Sequence, residues 1–194
     1  MKFDALNQLK RFFSVMEVED RDKRVSFAQA LNEALIYVFL LLQTEFKVGN
    51  EINPGEYYSI LDSRIRDAYE KYSITPNEEY LSLVTKEIID TTLRHTDDPY
   101  FVSKDRALLI AQNETNTAFN LKNHDEAIEQ GKQYKTWVTE QDSKVRMSHD
   151  EVNMQRIPIN DYFQVGNDQM LFPHDYINGS PENLINCRCV CTYE

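Results

Sequence analysis

The sequence predicts an α+β protein: a helical N-terminal half followed by a small α+β module with an antiparallel sheet. Three observations carry this. Apolar residues recur at three- and four-residue steps as far as about residue 130. Gly131 closes that pattern, and the chain then turns to strand formers. Near the C-terminus, Cys187 to Tyr193 alternates strictly, as a half-buried strand does. A chain of 194 residues can bury one core of ordinary size, or two small ones sharing a face.

Taken in order, Phe3, Leu6, Leu9, Phe13 and Met16 form a first apolar stripe. The charged stretch Glu17 to Arg24 interrupts it. Ser26 reads as the N-cap of a second helix running to about Val48, where Gly49 supplies the stop. Asn53-Pro54-Gly55-Glu56 starts a third helix, with Tyr57, Ile60, Leu61, Ile65 and Ala68 on its core face. At Thr75-Pro76-Asn77-Glu78, Thr75 is expected to cap, Pro76 to sit first in the helix and Glu78 to close a capping box. The helix that follows carries Tyr80, Leu83, Val84, Ile88 and Leu93.

Thr96-Asp97-Asp98-Pro99 is a polar break and the expected boundary between two domains, 1–97 and 98–194. From Ser103 a helix runs through Asn120 with a narrow face of small residues: Ala107, Ile110, Ala111, Thr115 and Ala118. It continues from His124 to Gln130. Tyr134 to Thr139 reads as a strand, and residues 157–172 hold two short apolar pieces. Val165-Gly166-Asn167-Asp168 between them reads as a hairpin turn. In the last strand the three sulfurs share one face, with Arg188, Val190 and Thr192 on the other.

Lys plus Arg number 21 against 32 Asp plus Glu, a net charge of −11. A chain this acidic is no general nucleic-acid coat, because phosphate binding needs cationic surface. Residues 101–194 alone hold nine Lys and Arg against fourteen Asp and Glu. All three Cys lie in the last eight residues, which is no secreted disulfide framework, so a reducing compartment is expected. The first residues lack the apolar region of a signal peptide. The longest apolar run, Ala34 to Leu42, has nine residues, whereas a bilayer core needs about 20. A helix buried on most sides is expected there, and no membrane partner.

Chemistry-bearing residues concentrate in the C-terminal half. Asp142, Arg146 and His149 stand at steps of four and three, so a helical turn would put them on one face. Such a set is either a structural network or a site with His149 as base and Arg146 as anion holder. His149, Cys187 and Cys189 could instead be metal ligands, since C-x-C on a strand points two thiolates the same way. His174 or Asp175 could be a fourth ligand. Buried, unligated cysteines account for the same pattern. A Cys nucleophile paired with His149 is formally open, but no nucleophile motif accompanies it. Trp137 reads as core, and Glu114 as a solvated or buried acid on its helix. Phosphate-binding glycine loops, serine elbows and zincin helices are absent from the sequence.

One set of residues goes further. Arg106 to Thr115 leads to Ala118-Phe119-Asn120, then Gly131, Lys135 and Trp137, then Asp142-x-x-x-Arg146-x-x-His149. Phe163-x-x-Gly166, Phe172-Pro173-x-Asp175 and Glu182-x-x-x-Asn186-Cys187-Arg188-Cys189 follow. This order resembles the phage Mu F-like head morphogenesis domain of bacteriophage minor head (minor capsid) proteins, over about residues 100–194. The chain departs from the family at Ala111-Gln112-Asn113-Glu114, where Ala-Arg-Thr-Glu is usual, and at His174, where a Gly is common. The resemblance marks Glu114, Trp137, Asp142, Arg146, His149, Pro173, Asp175, Asn186 and Arg188 as structural motif residues, none of them catalytic. It implies a virion or procapsid component, in the host cytoplasm during assembly, associated with the portal vertex and linked to DNA packaging or ejection. Portal, scaffold or major capsid protein would be partners, with viral DNA as a further one. The helical region 1–97 would be the docking arm. Because the chain stops after the Asn-Cys-Arg-Cys segment, the toxin domains of longer relatives are not expected. The cofactor left open is Zn2+. The alternative reading is an enzyme, a nuclease-like or metal-dependent hydrolytic α+β domain using His149, Arg146 and Asp142.

Overall fold

The computed structural model of the chain describes residues 4–14 and 20–194; Phe3, Met16 and residues 17–19 of the expected first stripe and charged break lie outside them. The class is α+β. Among the described residues there are seven α-helices, a three-stranded antiparallel sheet and a two-stranded hairpin, and all the strands follow residue 133. The chain divides into two compact units: residues 1–9 with 25–111, and residues 10–24 with 112–194. Those divisions fall inside helices α1 (Ala5–Ser14), α2 (Arg21–Val48) and α5 (Lys104–Glu129), not in a linker.

In the first unit α2 buries Phe27, Leu31, Leu35, Val38, Phe39 and Leu42. It starts at Arg21, five residues before the expected cap at Ser26. Gly49 ends it at φ 75°, a left-handed conformation that costs other residues a Cβ clash. The helix is 28 residues long and apolar enough, by length and composition, to cross a membrane. Most of its apolar side chains face the core of the unit, while Tyr37, Leu40 and Val48 are exposed. The nine-residue run thus marked the middle of a longer core helix.

α3 (Pro54–Lys71) starts as expected: Asn53 accepts from the Gly55 N–H, and Pro54 takes the first position. Tyr57, Leu61, Ile65 and Ala68 are buried, with Tyr69 added and Ile60 only half-buried. α4 (Glu78–Arg94) corrects the expected start. Asn77, not Thr75, caps it, accepting from the Tyr80 N–H at 2.9 Å. Its buried face is Leu81, Thr85, Ile88, Ile89 and Thr92, while Leu83 is exposed. The rotated face follows from a buried cation. Arg106 donates to Thr92 Oγ1 at 2.7 Å and to the carbonyls of Phe101 and Ile88, so Thr92 of α4 turns inward. A 3₁₀ turn, Pro99–Val102, fills the polar break, and Ser103 Oγ accepts from the Arg106 N–H at the start of α5.

The second unit is organised by the sheet order β2-β1-β5. β1 (Tyr134–Val138) runs antiparallel to both β2 (Arg156–Pro158) and β5 (Val190–Tyr193), with Trp137 opposite Cys191. β3 (Phe163–Val165) and β4 (Asp168–Met170) form the expected hairpin, with Gly166 at φ 59° in its turn. The core is Trp137, Val152, Phe163, Val165, Met170, Cys187 and Cys189. A lysine is buried beside it: Lys135 Nζ donates to the Ile159 carbonyl at 2.7 Å, and burial pulls its pKa down to about 8.

On α5 the small residues Ala107, Ala111, Thr115 and Ala118 are buried as expected. Further along, His124 is buried against Phe172 and Tyr193 with no hydrogen-bond partner at either ring nitrogen. Burial first, then the charge of Lys135, drops its pKa to about 4. The unfolded chain therefore takes up this proton near pH 6.5 and the folded chain only near 4. Stability from this group is fully present above about pH 6.5 and falls as pH drops toward 4, by about 2–3 kcal/mol. Urea unfolding of His124→Leu should lack that slope; an unchanged slope would place the titration elsewhere.

Candidate metal centre

The segment before β5 does not extend the strand as its alternation suggested. Asn186 takes a left-handed φ of 60°, and its N–H donates to Asn113 Oδ1 at 2.7 Å. Side chains then satisfy the carbonyls that follow. Asn116 Nδ2 donates to the Cys187 carbonyl at 2.9 Å, and Asn120 Nδ2 to the Cys189 carbonyl at 3.2 Å and the Pro173 carbonyl at 2.9 Å. With its backbone partners on α5, residues 187–189 need no ladder, and strand pairing begins only at Val190. Cys187 and Cys189 are still buried together, with Cys191 packed against the same core. On the opposite face Val190 is buried, Arg188 half-buried and Thr192 exposed.

The imidazole that meets these sulfurs comes from α6 (Met147–Asp150), a single turn. His149 Nδ1 lies 3.4 Å from Cys189 Sγ and 3.6 Å from Cys187 Sγ. Its Nε2 lies 3.3 Å from Asn183 Oδ1, and its ring stands edge-on to Trp137 at 5.6 Å. Asn183, just inside α7 (Pro181–Leu184), is fixed in turn: its amide nitrogen donates to the Val165 carbonyl and to Asp168. His149, Cys187 and Cys189 bring one ligand atom each to within 4.8 Å of one another, and all three are buried. Two sulfurs and an imidazole nitrogen at these separations can hold a metal ion.

Burial alone would raise the Cys187 thiol. Hydrogen bonds from Cys189, His149 and His174 outweigh it and hold Cys187 well below the usual thiol range. Cys189, bonded to Cys187 and buried, is pushed well above it. Cys191 is pushed up to about 12 by burial.

The expected Asp142, Arg146 and His149 face does not form. Residues 142–146 are turn, and helix begins only at Met147. Asp142 instead takes both arms of the Arg188 guanidinium, at 2.7 and 2.8 Å. Arg146 donates to the Ile185 carbonyl. The helical face that would have carried all three is therefore absent, although Arg146 and His149 both line one small recess.

Neither expected fourth ligand is free for a metal. His174 Nε2 sits 2.8 Å from the Cys187 carbonyl and Nδ1 3.5 Å from Thr117 Oγ1. Asp175 ties its own turn, accepting from the backbone N–H groups of Leu171, Ile177 and Asn178. Glu114 lies half-buried on α5, whose bonds to the cysteine segment run through Asn113, Asn116 and Asn120. A small recess lined by Glu140, Lys144, Arg146, Asn186 and Arg188 opens beside the three donors.

The Asp142–Arg188 pair gives a pH signature. Arg188, then the Lys144 N–H, hold the Asp142 carboxyl down at about 2. A depressed carboxylate contributes stability above its unfolded value and loses it as pH falls through the folded one, here between about 4 and 2. The pair is part-exposed, so the effect is small, about 1 kcal/mol or less. Urea midpoints for Asp142→Asn should fall less than wild type between pH 5 and pH 2.5.

Sequence reasoning missed the asparagines. Asn113, Asn116 and Asn120 recur at helical spacing on a face otherwise built of small residues, and Asn120 stands among the residues that carry the resemblance, but no role was read from either signal. Asn183 carried none.

A family model described as Phage Mu protein F like protein matches residues 47–192, about three quarters of the chain. No curated protein and no solved structure matches.

Proposed function

Since the chain belongs to the Phage Mu protein F-like family, whose members are bacteriophage head-morphogenesis and minor capsid proteins, we propose that it acts at the portal vertex in procapsid assembly and in DNA packaging or ejection. The family match is the observation that carries this reading. In it, residues 98–194 form the head-morphogenesis module. Residues 1–97 dock on portal, scaffold or major capsid protein. Leu40, Val48 and Leu83 of that region are exposed apolar side chains suited to a partner's groove. Viral DNA is a lesser partner, because residues 101–194 carry more acid than base. A Zn2+ ion on His149, Cys187 and Cys189 belongs to the reading, two thiolates and an imidazole being ordinary zinc donors.

The chain turns over no substrate in this reading. Asp142 and Arg146 are spent on Arg188 and on the Ile185 carbonyl, which speaks against the hydrolytic alternative. The test is capture of the tagged chain from infected or prophage-induced cells, read by mass spectrometry. Portal and capsid proteins are expected; recovery of metabolic enzymes alone rejects the assignment. Equal and zero RNA and DNA cleavage by wild type and His149→Ala completes it. Cleavage that His149→Ala abolishes would restore the enzyme.

A further inference from the structure

We propose that the zinc centre takes only three donors from this chain and presents an open fourth position to the recess beside Lys144 and Arg146, where water or a small anion completes the shell. This rests on the zinc reading above and not on the role in head assembly.

The imidazole already stands at a metal's spacing from both sulfurs, and all three donor atoms lie within 4.8 Å of one another. A tetrahedral ion with bonds of about 2.3 Å to sulfur and about 2.0–2.1 Å to nitrogen sets each N···S edge at about 3.6 Å. The observed edges from His149 Nδ1 are 3.4 and 3.6 Å. The surroundings fix the imidazole for this task. Asn183 uses its amide nitrogen on Val165 and Asp168, so its Oδ1 is the atom facing His149. An oxygen there keeps a proton on Nε2, so the ring can give up the Nδ1 proton it shares with the thiols when an ion binds, and the Nδ1 lone pair is then aimed at the metal. The Cys189 N–H points at Cys187 Sγ from 3.4 Å, a donor suited to a sulfur that carries charge.

A fourth protein donor is missing among the described residues, since the cluster of close ligand atoms holds only these three. His174 has both ring nitrogens engaged, and Asp175 is committed to its turn. Structural zinc sites are closed by four protein ligands, whereas three with an adjoining recess is the open arrangement. Two thiolates neutralise the ion. The charge of the recess then comes from Lys144, Arg146 and Arg188 against Glu140, with Arg188 balanced by Asp142, and favours an anionic donor.

Two measurements on the full chain separate the zinc reading from the open position. Purified under reducing conditions, the chain should carry one zinc per molecule by plasma mass spectrometry. Cys187→Ser and Cys189→Ser should lose it while Cys191→Ser keeps it. An apo chain that takes up no added zinc overturns both the zinc reading and the open position. Cobalt(II) is then loaded in place of zinc and titrated with azide. A saturable shift of the visible cobalt bands is expected. Lys144→Gln should weaken the azide affinity by about two- to fivefold at unchanged cobalt content. Bound cobalt whose spectrum ignores azide overturns the open position and leaves the zinc standing. The azide titration uses the wild-type chain, so its outcome does not depend on any variant folding.

Discussion

Trp137→Ala is expected to destabilise the full chain by about 3–5 kcal/mol, the range for emptying a buried aromatic site. The indole has no exposed surface, and it stands edge-on to Phe163 at 5.2 Å and to His149 at 5.6 Å. Its strand is central in the sheet, with partners on both sides, so neighbouring backbone cannot collapse into the space. The loss also reaches the donors, because the ring is one wall against which the His149 imidazole is set. Urea unfolding followed by far-UV circular dichroism gives the stability. Near-UV circular dichroism reports whether the remaining aromatics keep fixed surroundings. Trp137→Phe should cost less than half as much, since most of the volume stays. A change below about 1 kcal/mol for the alanine variant would mean that the ring is not packed as described.

That core was legible in the sequence because its signals are local. The strand-rich run at Tyr134, the turn at Gly166 and the alternating cysteines each announce themselves within a few residues. The match between expectation and structure fails where a polar group is satisfied from far along the chain. The buried face of α4 was misplaced because Thr85 and Thr92 count as polar in any periodicity, yet Arg106 makes Thr92 an interior residue. The strand was drawn from Cys187, although Asn186, Cys187 and Cys189 bond to asparagines some seventy positions earlier. Asp142 looked like the partner of Arg146 at four residues' distance, and took Arg188 instead, forty-six positions away. Helical spacing proposes neighbours; a bidentate guanidinium–carboxylate pair outweighs a single-turn contact when the intervening backbone is a turn. The three candidate donors were legible because C-x-C fixes two of them, while the asparagine that orients the third has no pattern of its own.

Arg24→Ala carries the second large effect, about 3–5 kcal/mol, and comes from a residue that the charged run 17–24 had marked as a break. The side chain is fully buried. Its Nε donates to Asp20 at 2.7 Å, and its two terminal nitrogens donate to Asn116 Oδ1 at 3.0 Å and Asn120 Oδ1 at 3.1 Å. The plane lies over the Phe119 ring at 5.0 Å. Burial pulls the guanidinium's pKa down and Asp20 opposes it, but arginine remains charged at any ordinary pH. Alanine would leave Asp20 Oδ1 and two amide oxygens without their donor, Asp20 Oδ2 keeping only Asn123, and that desolvation, more than the lost pair itself, sets the size of the loss. The damage should also travel. Asn116 and Asn120 use their other ends on the carbonyls of Cys187, Pro173 and Cys189, so freeing them loosens the segment that carries both thiols. Arg24→Lys keeps the charge but lacks the planar fork, so it cannot reach three acceptors at once and should recover only part of the loss. Amide resonances of Cys187 and Cys189 should shift in both variants. Unfolding midpoints within about 1 kcal/mol of wild type, with those resonances unmoved, would show that the asparagines hold the cysteine segment without Arg24.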